Sequence, residues 1–282
     1  MRPIPAGLLT HYATGCTTLA WGLKITRRDG AVYGFTSHQR DVVIGGVTYL
    51  AGPGLDVASL VSSAGFAVDN TELTILADDT LITRADLLAG RWDGAGFELF
   101  RFNWASPTER DVRKRGRFGN VQPRAGSYTV ELRSLRQALQ QAIGRVTQPT
   151  CPYRLGDADC GVALGPYTVT GSVTSVTSQQ QFTSAARTEP DDRFAAGELT
   201  WTSGPKNGLK ALVRSSTAAG VITLAVPSVH TILPGDTYSL VWGCKKRRDE
   251  DCKAVFNNVL RFGGEPDLPG RDALTAPATH TD

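Results

Sequence analysis

Apolar and polar residues alternate in short runs through most of the chain, with the two-residue period of a strand buried on one face. Leu19, Trp21, Leu23 and Ile25 alternate, Arg28-Asp29-Gly30 offers a turn, and Val32, Tyr33 and Phe35 resume, so a hairpin is expected over residues 17–35. Val42-Val43-Ile44 and Val47-Thr48-Tyr49-Leu50 flank Gly45-Gly46, whose freedom at positive φ suits a second hairpin. Further strands are expected over residues 66–76, 96–104 and 127–132. Helical spacing is confined to two places. Thr83 is placed to cap a short helix over residues 84–89 that stops at Gly90. Ser134 is placed to cap a longer one, in which Leu135, Ala138, Leu139, Ala142 and Ile143 share a face before Gly144.

From residue 165 to 240 the chain becomes rich in Thr, Ser and Val, and strands are expected over 167–176, 197–202, 209–215, 221–226 and 237–242. Each is bounded by Gly, Pro or Asp, the pattern of a small β-barrel or sandwich. Beyond Pro269 there is little to bury, so a flexible tail is expected unless a partner holds it. A length of 282 residues exceeds one ordinary core and suits two. The expected division is an N-terminal β-rich domain over 1–145, a second domain over 146–270 with the β-barrel inserted at about 165–240, and a tail over 271–282. The fold class is mainly β, a β-rich α+β protein, in keeping with 30 glycines and a single Met.

Composition narrows the function. Apolar residues at 41% and charged residues at 20% describe a globular chain rather than a disordered one. A net charge of +3 is too small to imply a nucleic-acid partner. No window approaches the roughly 18 apolar residues of a membrane span, and Met1-Arg2-Pro3-Ile4-Pro5-Ala6 lacks a signal-peptide core, so synthesis and folding in the cytosol are expected. In that compartment five cysteines read as thiols or metal ligands before disulfides.

Four of them flank the second β module: Cys151 and Cys160 just before it, Cys244 and Cys252 just after. An autonomous barrel brings its entry and exit strands together, so a four-thiolate site would clamp its ends. The C-x8-C and C-x7-C spacings exceed the short knuckle of structural zinc sites, whereas an iron–sulfur cluster is larger and accepts thiolates from looser loops. Zinc, disulfides formed after release and unconnected thiols stay open alternatives. Lys245-Lys246-Arg247-Arg248 follow Cys244, and such cations would offset the negative charge of a thiolate-bound cluster; as a solvated loop they would be offset by Asp249, Glu250 and Asp251. Cys16 reads as a small buried residue.

A catalytic set is not evident. His11, His38, His230 and His280 show no metalloprotease spacing, and there is no nucleophile elbow, phosphate loop or dinucleotide fingerprint. Cys16 with His38 is a nucleophile pair by residue type alone. Asp157 and Asp159 lack the later ligands of a calcium loop and read as turn formers.

The stretch from Cys151-Pro152-Tyr153 through Gly156-Asp157-Ala158-Asp159-Cys160-Gly161, with Gly235-Asp236, Gly243-Cys244-Lys245-Lys246-Arg247, Cys252, Phe256-Asn257-Asn258 and Phe262-Gly263-Gly264, resembles the tail hub (minor tail) proteins of long-tailed phages, prophages and bacterial gene transfer agents. Thr26-Arg27-Arg28-Asp29-Gly30, Gly34-Phe35-Thr36, Gly46-Val47-Thr48-Tyr49 and Glu131-Leu132-Arg133 extend the resemblance over nearly the whole chain. It implies a non-enzymatic baseplate protein assembled in the bacterial cytoplasm and carried at the particle's tail tip. There it would form a homotrimeric ring joining the distal tail ring to the central fibre or spike protein. It also implies that Cys151, Cys160, Cys244 and Cys252 hold an iron–sulfur cluster of the 4Fe–4S kind. An iron–sulfur redox or electron-transfer protein is the competing function.

Overall fold

The computed structural model describes residues 4–51, 70–76, 82–124, 127–134, 139 and 144–268. Residues 66–69 of an expected strand, nearly all of the helix expected after Ser134, and the tail beyond Pro269 lie outside the described residues. The chain divides into two units, Met1–Ala142 and Ile143–Asp282. Among the described residues no helix is long and apolar enough to cross a membrane.

In the first unit a helix, α1 (Ala6–Ala13), precedes β1 (Leu19–Thr26), β2 (Val32–Thr36), β3 (Val42–Ile44), β4 (Val47–Ala51) and β5 (Asn70–Leu76). A short helix, α2 (Arg84–Leu88), then leads to β6 (Gly96–Asn103), β7 (Arg110–Arg124) and β8 (Ser127–Ser134). The strands form one sheet in the order β3-β4-β2-β1-β6-β7-β8-β5. Both expected hairpins form. Gly30 turns the first at φ 89°, and Gly45 and Gly46 turn the second at 57° and 79°. Thr83 caps α2 as anticipated, its Oγ1 accepting from the Asp86 N–H at 3.1 Å.

Alternation along β1 and β6 buries both faces of this sheet. Leu23 stands opposite Leu99 and Ile25 opposite Phe97 on one face, where Phe35, Trp92, Phe118 and Leu132 join them. Ala20 opposite Phe102 and Gly22 opposite Phe100 lie on the other, covered by Ile44 and Tyr49. Gly22 is required there, because a Cβ would sit 2.5 Å from the Phe100 ring.

β7, 15 residues long, is the strand that alternation does not reveal, because Arg and Lys dominate it. Its backbone pairs with β6 on one side and β8 on the other, and a bulge at Arg113 returns Val112 and Arg115 to one face. Cys16, expected to be buried, is exposed. It lies in the turn between α1 and β1, where Thr14 Oγ1 donates to its carbonyl at 3.1 Å.

The second unit is built on β9 (Thr168–Ser172), β10 (Ser175–Val176), β11 (Gln181–Thr183), β12 (Glu198–Trp201), β13 (Lys210–Ser216), β14 (Val221–Leu224) and β15 (Thr237–Val241). Their order is β10-β11-β14-β13-β12-β15-β9. The single strand expected over 167–176 is divided at Val173-Thr174. The Val173 N–H donates to Asp236 O beside β15, whereas the Thr174 N–H donates to Thr183 O beside β11, each at 2.8 Å. One stretch of chain therefore supplies both edges, and the sheet curls into a half-barrel. Inside it Phe182 packs against Trp201 and Tyr238, each with ring centroids 5.6 Å apart, among Leu199, Val213, Ile222 and Leu240.

Candidate metal centre

Pairing of β9 with β15 brings the two ends of the half-barrel together. The ladder ends at Val241 opposite Thr168, and beyond it the Trp242 N–H donates to Tyr167 O at 2.9 Å. Tyr167 packs against Trp242 at 5.3 Å and Phe256 at 5.0 Å, so an aromatic stack continues where the strands stop. The Cys151 N–H then donates to Lys246 O at 3.0 Å, which sets Cys151 beside the segment carrying Cys244.

Cys160 is delivered by a loop that Asp157 organises. Its carboxylate accepts from the Arg154 N–H at 2.9 Å and from the Cys160 N–H at 2.7 Å. The Cys160 N–H bond is the main reason its acidity is strengthened. Turn formation is the role this geometry supports for Asp157. Cys252 lies in a π-helical turn, Arg248–Lys253, whose start is fixed by buried Asp251 accepting from the Arg247 backbone N–H and Nε at 3.1 and 3.0 Å.

The side chains of Cys151, Cys160, Cys244 and Cys252 line one narrow cavity of about 20 Å³, together with Leu155, Val162, Phe256 and Phe262. All are free thiols; Cys160 is buried and the other three half-buried. Burial raises the Cys244 thiol pKa. Burial, and then Cys151, Cys244 and Cys160, push that of Cys252 up to about 11. The neighbouring thiols thus oppose ionisation of Cys252, and a cation placed among them would reverse that opposition. The donor set therefore fits a thiolate-bound metal group. Among the described residues no three His, Cys, Asp or Glu side chains are gathered around a single-ion position.

The basic run after Cys244 divides. Lys246 and Arg247 line the cavity, with Lys246 Nζ donating to Tyr153 O and Arg247 paired with Asp251 and Glu250. Lys245 turns to Asp192 at 3.8 Å and Arg248 to Asp267 at 2.5 Å. Arg261 and Asn258, to which residue-type reasoning gave no role, also line the cavity. The only sequence signal for Asn258 was its place in the Phe256-Asn257-Asn258 motif. The Cys16–His38 pair gains no support: Cys16 is in its exposed turn, and the His38 ring packs on Trp104 at 5.0 Å.

Residues 5–163 match a family described as "Baseplate hub protein, N-terminal attachment domain". Residues 192–272 match one described as "Phage conserved hypothetical protein BR0599". A chain from a solved structure described as "Virion of native gene transfer agent (GTA) particle" is 34% identical, with a TM-score of 0.91 over 99% of this chain and 97% of that one. Among curated proteins no match is found.

Proposed function

Because this chain belongs to the baseplate hub protein family and is thus a structural protein of a phage-like tail, we propose that it forms a three-copy ring at the tail tip. The ring joins the distal tail ring to the central fibre or spike protein. Ring subunits meet through one patch on a different patch of the next copy, and closure of the rotation fixes the copy number. The likeness to a gene transfer agent virion chain over nearly the full length supports a place in the particle for both units of the chain.

Within that role Cys151, Cys160, Cys244 and Cys252 hold an iron–sulfur cluster of the 4Fe–4S kind that ties the ends of the half-barrel together. The observation that carries this reading is the convergence of all four thiols on one cavity where β9 and β15 end. A bound cluster supplies a rigid four-way cross-link, and its free energy of binding adds to folding. Lys246 and Arg261 beside the cavity offset the negative charge of the thiolates. The second domain on this reading is residues 146–270, with the half-barrel as an insertion between two ligand pairs.

Anaerobic purification with iron, sulfide and zinc analysis tests the cluster. Iron and sulfide in equal amounts support it, and stoichiometric zinc without sulfide replaces it with a zinc site. Mass spectrometry of purified particles tests the hub role: three copies per tail are expected, and absence of the chain from particles refutes it.

A further inference from the structure

One residue touches ligands from both sides of the half-barrel. The Asn258 side-chain Nδ2 donates to Cys160 O at 2.7 Å and lies 3.9 Å from Cys160 Sγ, across 98 positions of sequence. Its backbone N–H donates to Cys252 O at 2.8 Å, and its own carbonyl accepts from Cys252 Sγ at 3.2 Å. The orientation of the amide is fixed by chemistry, since a backbone carbonyl only accepts and the NH₂ group must face it.

The local context points the same way. Asn258 stands at the N-cap of the turn Val259–Arg261, where an Asn side chain ordinarily accepts from the following backbone N–H groups, yet here it makes no capping bond. Its amide is directed at Cys160 instead.

We propose that Asn258 is a positioning residue that sets Cys160 against Cys252 and donates an N–H towards the ligand sulfur, thereby raising the reduction potential of the bound cluster. The proposal rests on the cluster reading above. The amide contact to Cys160 ties the segment that carries Cys252 to the segment that carries Cys160. Reduction adds negative charge, some of it on the sulfurs, and hydrogen-bond donors aimed at sulfur favour that state.

The test uses the full chain purified without oxygen as wild type, Asn258→Ala and Asn258→Gln. Redox titration of the loaded proteins should show a shift to more negative potential in Asn258→Ala and a smaller shift in Asn258→Gln, which keeps an amide. Equal potentials in wild type and Asn258→Ala overturn the proposal. The second arm reads alkylation of Cys160 in the reduced, iron-free chain, with exposed Cys16 as internal reference. Loss of one buried hydrogen bond should raise the Cys160 rate roughly tenfold in Asn258→Ala. An unchanged rate overturns the positioning role even where a variant loads no iron. A wild type that binds no iron refutes the cluster reading alone, and the alkylation arm still decides whether Asn258 holds Cys160.

Discussion

Replacing Lys206 by Met should destabilise the second unit severely, although the residue lies in a short surface turn, Gly204–Lys206. Its side chain is 1% exposed, pairs with Asp236, donates to Thr231 O at 3.0 Å and holds its ammonium 4.9 Å from the Trp201 ring centre. Met keeps the apolar stem against Trp201 and removes the charge. Asp236 is then left 12% exposed, with the Leu233 N–H at 2.6 Å as compensation, and Thr231 loses the Nζ donor. Removing one partner of a buried pair costs about 3–5 kcal/mol, and the residual exposure of Asp236 places this case near 3. At a urea slope of about 2 kcal/mol per molar, the midpoint of the second unit should fall by roughly 1.5 M. Urea titration followed by tryptophan emission reads it, since Trp201 lies beside the site. In Lys206→Met/Asp236→Asn part of the loss should return, with a coupling of about 1–3 kcal/mol, because no lone charge then stays buried. A midpoint shift below about 0.3 M for Lys206→Met, or no recovery in the double variant, would refute the assignment of stability to this pair.

Serine at Cys151, Cys160, Cys244 or Cys252 should abolish iron and sulfide binding while Cys16→Ser retains both; full iron in any of the first four removes that residue from the ligand set. Chelation of the iron should lower the calorimetric melting of the second unit and leave that of the first in place, since metal bound to folded chain alone adds to folding free energy. Gly22→Ala places a Cβ 2.5 Å from the Phe100 ring and should cost the first unit about 1–3 kcal/mol in a denaturant titration, without effect on metal content. The Arg27 hydrogen bond lowers the Asp29 pKa to about 2, so the contribution of that pair is complete above about pH 4 and lost as pH falls towards 2. Asp29 is half exposed, so Asp29→Asn should cost at most about 1 kcal/mol at pH 7. That difference should vanish when unfolding is followed below pH 2.

Local pattern was enough for the hairpins. The alternation of Leu19 to Ile25 and the paired glycines at 45 and 46 specify strand faces and positive φ within a few residues, with no distant partner needed. The Thr83 cap was legible for the same reason. Placement of β4 parallel to β2, with Gly34 opposite Tyr49, was not legible, since strand order depends on which edges remain free after the hairpins form. β7 was hidden because pairing on both sides lets a run of Arg and Lys serve as a strand without an apolar stripe. The exposure of Cys16 was likewise a matter of where its turn sits.

For the candidate site, residue order alone shows which atoms are available: four thiols placed in pairs on either side of a β module, and basic residues next to one pair. That they share a cavity is a property of the fold. That depends on β9 meeting β15 and on the bend at Val173-Thr174, contacts between residues far apart in the chain. The fold also decided that Asp157, Lys246 and Asn258 hold the loops, because a side chain's hydrogen-bond partner is whatever the closed sheet brings within 3 Å, and spacing along a chain does not encode that distance.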